Sequence, residues 1–147
     1  MKLKFKIVTP EKVVFEKEVD QVTIPTEMGQ ITILPNHLAM VSIVRAGELM
    51  IKDGANQELM AIAGGFLEVK KNEVLVLTES AVRAEEIDEV QAEEAKNRAQ
   101  KLMAELKNKE DVEYTALASR IETELARLRV VKKRKGAHQP DITNQGT

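Results

Sequence analysis

The sequence predicts a β + α protein, an N-terminal β-sandwich followed by a C-terminal antiparallel two-helix hairpin. Three observations carry this. Before about Ala84 the apolar residues alternate with polar ones and are punctuated by Pro, Gly and Asn turn signals. After it, apolar residues recur at spacings of three and four through two stretches free of Gly and Pro. Between the alternating runs no stretch is long enough for a crossover helix, which argues against a parallel α/β sheet.

The strands follow in order. Leu3, Phe5 and Ile7 interleave with Lys2, Lys4 and Lys6, a period of two that buries one face and wets the other. Thr9-Pro10 ends that strand. Further runs are Val13 to Phe15, Val19 to Ile24, Gln30 to Leu34, Met40 to Val44, Leu49 to Lys52, Leu59 to Ala63, Phe66 to Val69 and Val74 to Leu77. Pro25, Pro35-Asn36, Asp53-Gly54, Gly64-Gly65 and Lys71-Asn72 separate them. Eight to ten strands at this spacing suit a sandwich or flattened barrel. Phe66 is expected in the core, where Phe66→Ala would cost about 3 kcal/mol. Met28, Met40, Met50 and Met60 are read as core filling. Gly64-Gly65 is read as a hairpin or bulge turn, because no Lys-Ser/Thr follows to make a phosphate cradle.

The helices come next. From Asp88 to Leu106 the residues Ala92, Ala95, Ala99, Leu102 and Leu106 form one stripe, and Asp88 with Gln91 makes a capping-box-like start. Lys107-Asn108-Lys109-Glu110 interrupts the pattern. A second helix is predicted from about Asp111 to Lys133, with Tyr114, Leu117, Ala118, Ile121, Leu125 and Leu128 on one stripe. The short connection makes an antiparallel hairpin. Its alanine-rich stripe buries little, so the hairpin needs another surface. The division is therefore a sandwich over 1–84, a hairpin over 85–135 and a polar tail over 136–147 that is expected to be disordered.

Composition removes several functions. The 147 residues are 43% hydrophobic and 31% charged, enough apolar material for one domain with an appendage. A net charge of −2 disfavours a nucleic-acid protein. There is no cysteine and there are two histidines, which excludes disulfides, thiolate metal sites and a histidine metal cluster. No apolar run reaches the roughly 18 residues of a spanning helix, and the Lys-rich start lacks a signal segment, so a cytosolic protein is expected. Ser42, Ser80 and Ser119 have no nucleophile context, and no catalytic constellation emerges.

Three stretches carry a family resemblance. Gly29 to Leu49 (GQITILPNHLAMVSIVRAGEL), Ile62 to Asp88 (IAGGFLEVKKNEVLVLTESAVRAEEID) and Asp111 to Val131 (DVEYTALASRIETELARLRVV) resemble signature stretches of the ε subunit of bacterial F-type ATP synthases. The likeness runs from residue 3 to about residue 133. It implies a ten-stranded β-sandwich followed by two helices. It also implies a non-catalytic rotor subunit of the central stalk, coupling proton transport to ATP synthesis and inhibiting hydrolysis through the hairpin. The implied partners are the γ subunit, the membrane c-ring and the α and β subunits. The implied location is the cytoplasmic face of the bacterial plasma membrane, reached only through the complex.

The resemblance also marks candidate residues. Glu27, Met28 and Gln30 fall on a turn that in the family meets the c-ring, with Gln30 where a glutamate is common; an ordinary exposed turn explains them equally well. His37 falls in a loop facing the stalk, and Asn36 replaces the usual glycine; asparagine tolerates the left-handed backbone such a turn needs. Local hydrogen bonding is the plainer role for His37. Ile87, Asp88 and Ala92 lie on the family's nucleotide pattern, with Arg98 and Arg127 as further phosphate contacts, but Gln91 stands where the pattern has arginine. Asp88 is equally a helix cap. Regulatory ATP is therefore disfavoured, and no cofactor or metal is expected.

Six cations lie in the nine residues from Arg127 to Lys135. The absence of tryptophan and of aromatic interleaving speaks against nucleic acid, and the family's second helix meets an acidic segment of the β subunit. Arg120, Arg127, Arg129, Lys132 and Lys133 are the implied contacts. A free-standing ligand-binding sandwich with the hairpin as an oligomerisation device is the alternative. An enzyme is a weaker one.

Overall fold

The computed structural model describes residues 1–106 and 112–138. The expected break at residues 107–110 and the tail beyond 138 lie outside the described residues. Ten strands are present: β1 (Leu3–Val8), β2 (Val13–Val19), β3 (Gln21–Thr26), β4 (Gly29–Ile33), β5 (Met40–Val44), β6 (Gly47–Asp53), β7 (Asn56–Ile62), β8 (Gly65–Lys70), β9 (Glu73–Thr78) and β10 (Ala81–Arg83). A 3₁₀ turn at Ala84–Glu86 leads to α1 (Glu89–Glu105) and α2 (Val112–His138). The expected β-sandwich followed by two helices is thus the observed architecture.

The strands run in the order β10-β7-β6-β3-β5-β8-β9-β1-β2, with β4 attached to β3. Pairing is antiparallel except between β1 and β9, where Phe5 opposes Val74 and Ile7 opposes Val76 in parallel register. That pair needs no crossover helix, because the intervening strands carry the chain around the core. One apolar cluster fills the interior, with Leu3, Phe5, Ile7, Ile24, Ile33, Leu49, Met60 and Leu67 fully buried. The Leu3-Phe5-Ile7 alternation supplies its centre, and the Phe5 and Phe15 rings meet at 5.6 Å.

Several boundaries differ from the expectation. The run Val19 to Ile24 is not one strand: Asp20 divides β2 from β3, its N–H donating to Lys52 O (2.9 Å) and its carboxylate accepting from Gly54 N–H (2.5 Å). β10 was too short to show in the pattern. Phe66 is 59% exposed, not in the core. Leu67 and Val69 take the inward positions of β8, so Phe66 shares the outward face with Glu68. Of the methionines read as core, Met60 is buried, Met40 and Met50 are half-buried, and Met28 is 93% exposed at a turn tip.

Gly65 is fixed by close approach rather than by turn geometry. A Cβ there would stand 1.9 Å from Leu77 O, inside the ladder that pairs Gly65 with Thr78. The left-handed conformation expected of Asn36 is present, with φ at 67°. Lys71 and Asn72 adopt it together at 48° and 62°, the pattern of a tight two-residue hairpin.

Asp88 caps α1 by accepting from Gln91 N–H at 3.1 Å. α1 buries Ala92 and Ala99 but leaves Leu102 half exposed. α2 buries Ile121, Glu124, Ala126, Val130 and Val131, whereas Leu125 of the expected stripe is outside. The reason is that α2 serves two partners, packing on α1 and also on β6, β7 and the 3₁₀ turn, so its buried arc is wider than one stripe. Where it meets the sandwich, Val130 packs with Ala61 and Ala84, flanked by Leu59 and Ile87. α2 runs to His138, so residues 136–138, expected in the tail, are helical.

Candidate functional site

The candidates fall on three surfaces. The first is the pair of ends of β4. Glu27 and Met28 form the tight turn that enters it, closed by Thr26 Oγ1–H donating to Gly29 O (2.6 Å) and by Met28 N–H donating back to Thr26 Oγ1 (3.2 Å). Glu27, Met28 and Gln30 are all exposed there. His37 lies in the loop that leaves β4 at its other end. Its backbone N–H donates to Leu34 O (3.2 Å), and its Nδ1 stands 2.8 Å from Leu38 O. The neighbouring Asn36 N–H donates to Asn72 Oδ1 at 2.6 Å, tying this loop to the β8–β9 turn. The structure therefore does not gather His37 with Glu27, Met28 and Gln30; one strand separates them.

The second surface is a row the sequence reading missed. Ile43 opposes Phe66 across β5–β8, Phe66 opposes Leu77 across β8–β9, and Leu77 opposes Val8 across β9–β1. Ile43, Phe66 and Leu77 are 46%, 59% and 46% exposed. Val41, on the same outward face of β5, is exposed as well. A groove of about 460 Å³ runs beside the row, lined by Val8, Pro10, Gly65, Phe66 and Leu77. The signal was available in strand parity, since Phe66 alternates out of phase with Leu67 and Val69.

The third surface surrounds α2. Ile87, Asp88, Ala92, Arg98 and Arg127 do come together, lining one groove of about 470 Å³ with Gln91, Arg120 and Glu124. Its charge is mixed. Glu86, Asp88, Glu94 and Glu124 face Arg98, Arg120 and Arg127, so four acids stand against three cations. A second groove of about 700 Å³, between α2 and the sandwich, shares Arg120, Glu124 and Arg127 and adds Arg45, Ser80, Ser119 and Thr123. Between the grooves Arg127 Nη1–H donates to Glu124 Oε1 at 3.1 Å and its Nη2–H reaches Ser80 Oγ at 3.4 Å. Glu124 is 5% exposed.

The basic run is divided rather than presented as one stripe. Lys133 pairs with Glu48 of β6 and Lys135 with Glu89 of α1. Arg134 Nη1–H donates to Ala84 O at 2.9 Å. Arg129 Nε–H is turned to its own helix at Leu125 O (3.3 Å), and Arg120, Arg129 and Lys132 are exposed. Of the five implied contacts, Arg127 and Lys133 are thus engaged with side chains of the protein itself, and Arg129 only with a carbonyl of its own helix. Glu48 and Glu124 are not marked by the sequence, Ser80 appears there only as a serine without nucleophile context and Arg134 only as one cation of the basic run; the i,i+3 spacing of Glu124 and Arg127 is the one visible hint.

Far from these surfaces, Asp53 accepts from Lys2 Nζ at 2.6 Å and pairs with Lys17 Nζ at 3.1 Å. The hydrogen bonds from Lys2 and Lys17 hold its carboxyl below the ordinary value of 3.8, and the bond to Asp53 raises Lys2 above 10.5. Among the described residues no cluster of three or more His, Cys, Asp or Glu stands ready for a metal ion, and no helix is long and apolar enough to cross a membrane.

Comparison with known proteins adds to this geometry. Residues 2–84 match the family described as ATP synthase, Delta/Epsilon chain, beta-sandwich domain, and residues 85–132 match ATP synthase, Delta/Epsilon chain, long alpha-helix domain. An ATP synthase epsilon chain from Dehalococcoides mccartyi is 48% identical over 104 residues, 71% of this chain and 74% of that one. Another from Herpetosiphon aurantiacus is 40% identical over 136 residues, 92% of this chain and 98% of that one. A chain in the Euglena gracilis mitochondrial ATP synthase (OSCP/F1/c-ring) shares the fold, with a TM-score of 0.64, 23% identity, and coverage of 94% of this chain and 82% of that one.

Proposed function

The chain belongs to the ATP synthase epsilon-chain family, a subunit of that complex rather than its catalytic one, and on that premise we propose that it works as a rotor subunit of the central stalk. In this reading it couples proton transport to ATP synthesis by transmitting rotation, and its hairpin restrains ATP hydrolysis carried out by other subunits. It reaches the membrane only through the complex, on the cytoplasmic face.

The observation that carries the reading is the outward row Ile43–Phe66–Leu77. The sandwich core is complete without these side chains, so their exposure stabilises nothing within the chain. A contiguous apolar row on a rigid sheet, flanked by charged positions, has the composition of an interface centre. The γ subunit is the occupant assigned to it. The Glu27-Met28 turn is assigned to the c-ring, with Gln30 offering a hydrogen bond and no charge; His37, on the opposite end of β4, contacts the stalk.

The hairpin supplies regulation. Its seat on the sandwich centres on the small residues Ala61, Ala84 and Val130, flanked by partly buried Leu59 and Ile87, so lifting it off exposes a modest apolar area. Two populations follow, a compact one that leaves rotation free and an extended one in which Arg120, Arg129 and Lys132, joined by Arg127 and Lys133 on release, meet acidic side chains of the β subunit. Nucleotide state and proton-motive force shift these populations. Regulatory ATP is not part of the proposal, because the groove holding Asp88 and Gln91 has more acids than cations.

Co-purification tests the assignment. The tagged full chain is expected to retain the γ subunit and the catalytic head through gel filtration. A chain that elutes alone, or as a tight homo-oligomer, overturns it.

A further inference from the structure

We propose that Arg127 and Arg134 form a clasp that holds the hairpin against the sandwich, so that side chains of the basic run guard the compact state before any of them meets a partner. The inference rests on the reading of the hairpin as a movable element.

Both arginines reach groups of the sandwich side that are not free to follow them. Arg134 donates to Ala84 O at 2.9 Å, and Ala84 is 2% exposed, at the 3₁₀ turn where the chain leaves the sandwich for α1. The far end of α2 is thereby tied to the junction about which the hairpin would swing. Two turns back, Arg127, held on its own helix by the buried Glu124 carboxylate, reaches across to Ser80 Oγ of the sandwich at 3.4 Å. Between them lies Val130, 0% exposed against Ala61 and Ala84. The apolar part of the seat is small, so the polar bonds at its edges carry a large share of the hold.

Exposure ranks the cations. Lys133 and Lys135 are 56% and 64% exposed, so their pairs with Glu48 (14% exposed) and Glu89 (49% exposed) keep the cation in water, which weakens them. Arg127 is 27% exposed, and the Arg134 bond is partly buried. Charge-assisted hydrogen bonds of this kind are stronger than neutral ones and are costly to leave unmade. Opening takes the shorter of its two bonds from the Ala84 carbonyl, which keeps only Ile87 N–H at 3.4 Å, and separates Arg127 from Ser80, whereas the lysine pairs lose cations that already stand in water.

The chain has no cysteine, so Glu11→Cys and Ser119→Cys on exposed positions of the sandwich side and α2 accept a pair of spin labels cleanly. In the labelled full chain, the double variant Arg127→Ala/Arg134→Ala is expected to raise the ratio of long to short distances about tenfold, Arg134→Lys to give an intermediate ratio, and Lys133→Ala to change it less than twofold. Val130→Ser, which places a hydroxyl in the seat, serves as an independent opener, with helix circular dichroism confirming that α2 persists. If Val130→Ser opens the hairpin and the arginine double variant does not, the clasp is refuted and the movable hairpin stands. If neither opens it, the movable hairpin itself is refuted. If Lys133→Ala opens it as far as the arginine pair does, the hold is general electrostatics and the clasp assignment falls.

Discussion

Phe66 stands directly across from Leu77 in the β8–β9 ladder, and both side chains point away from the core. Their exposure separates folding from docking at one position. Phe66→Asp is expected to leave stability within about 0.5 kcal/mol, as at other surface sites. It should weaken binding of the γ subunit at least tenfold if the row is the centre of that interface. Phe5→Ala, in the core, should instead cost about 3 to 5 kcal/mol. Denaturant unfolding of both variants beside a γ pull-down checks the contrast; a Phe66→Asp chain that still binds γ normally moves the interface elsewhere.

The same ladder makes a sharper demand at Gly65. Its missing side chain lets Leu77 O approach to where a Cβ would be 1.9 Å away, and that neighbour is backbone inside a paired strand. Gly65→Ala is expected to destabilise the sandwich by at least about 2 kcal/mol. Gly54→Asn, at φ of 62° and with open space around it, should be tolerated far better. Urea midpoints measured side by side decide this, and equal midpoints would contradict the close approach.

These positions show what was legible in the sequence. Period-two runs located the strands, Asp88 announced α1, and Asn36 announced its own left-handed turn, because each signal is local. Hydrophobicity alone places Phe66 inside, but its strand parity, out of phase with Leu67 and Val69, turns it outward. The parallel β1–β9 pair, the division of the basic run and the burial of Glu124 were not legible, since each depends on residues far away in the chain: Val74 and Val76 for β1, Glu48 and Ala84 for Lys133 and Arg134, and Ser80 for Arg127. The nucleotide candidates did gather in one groove, yet the acids facing them there could be counted only in three dimensions.

Asp53 gives the pH dependence. Its carboxyl titrates below 3.8 in the folded chain, so the stability from its bonds is fully present above that value and is lost as pH falls through the lowered one. Lys2 titrates above 10.5, so its share is fully present below that value and is lost as pH rises through the raised one. Asp53→Asn is expected to narrow the difference from wild type at both extremes and to show its full destabilisation between them. Thermal unfolding across pH at low salt tests it; the exposed pair should count for less in high salt. A wild-type-minus-variant difference that does not change with pH would show that the pair contributes nothing.

Gln91 lines the same groove as Asp88, Arg98 and Arg127 but brings no charge. The isolated chain is expected to bind ATP weakly or not at all, and Gln91→Arg to strengthen binding by roughly ten- to a hundredfold, the worth of one charge-assisted hydrogen bond. Calorimetry on both proteins measures it. Tight, magnesium-independent binding by the unmodified chain would mean that the remaining arginines suffice.

The proposed regulatory role turns on cations the compact state leaves exposed, namely Arg120, Arg129 and Lys132. Replacing all three by alanine leaves Arg127 and Arg134 in place, so it changes what the extended helix offers a partner without loosening the seat. The direct measurement is the ATP hydrolysis rate of the catalytic head assembled with the γ subunit and either the full chain or this triple variant. The predicted result is equal assembly, with hydrolysis inhibited by the unmodified chain, less so at high salt, and released by the variant. Equal inhibition by the two chains would show that the exposed cations are only a solvated helix face, and would contradict the proposed control of rotation.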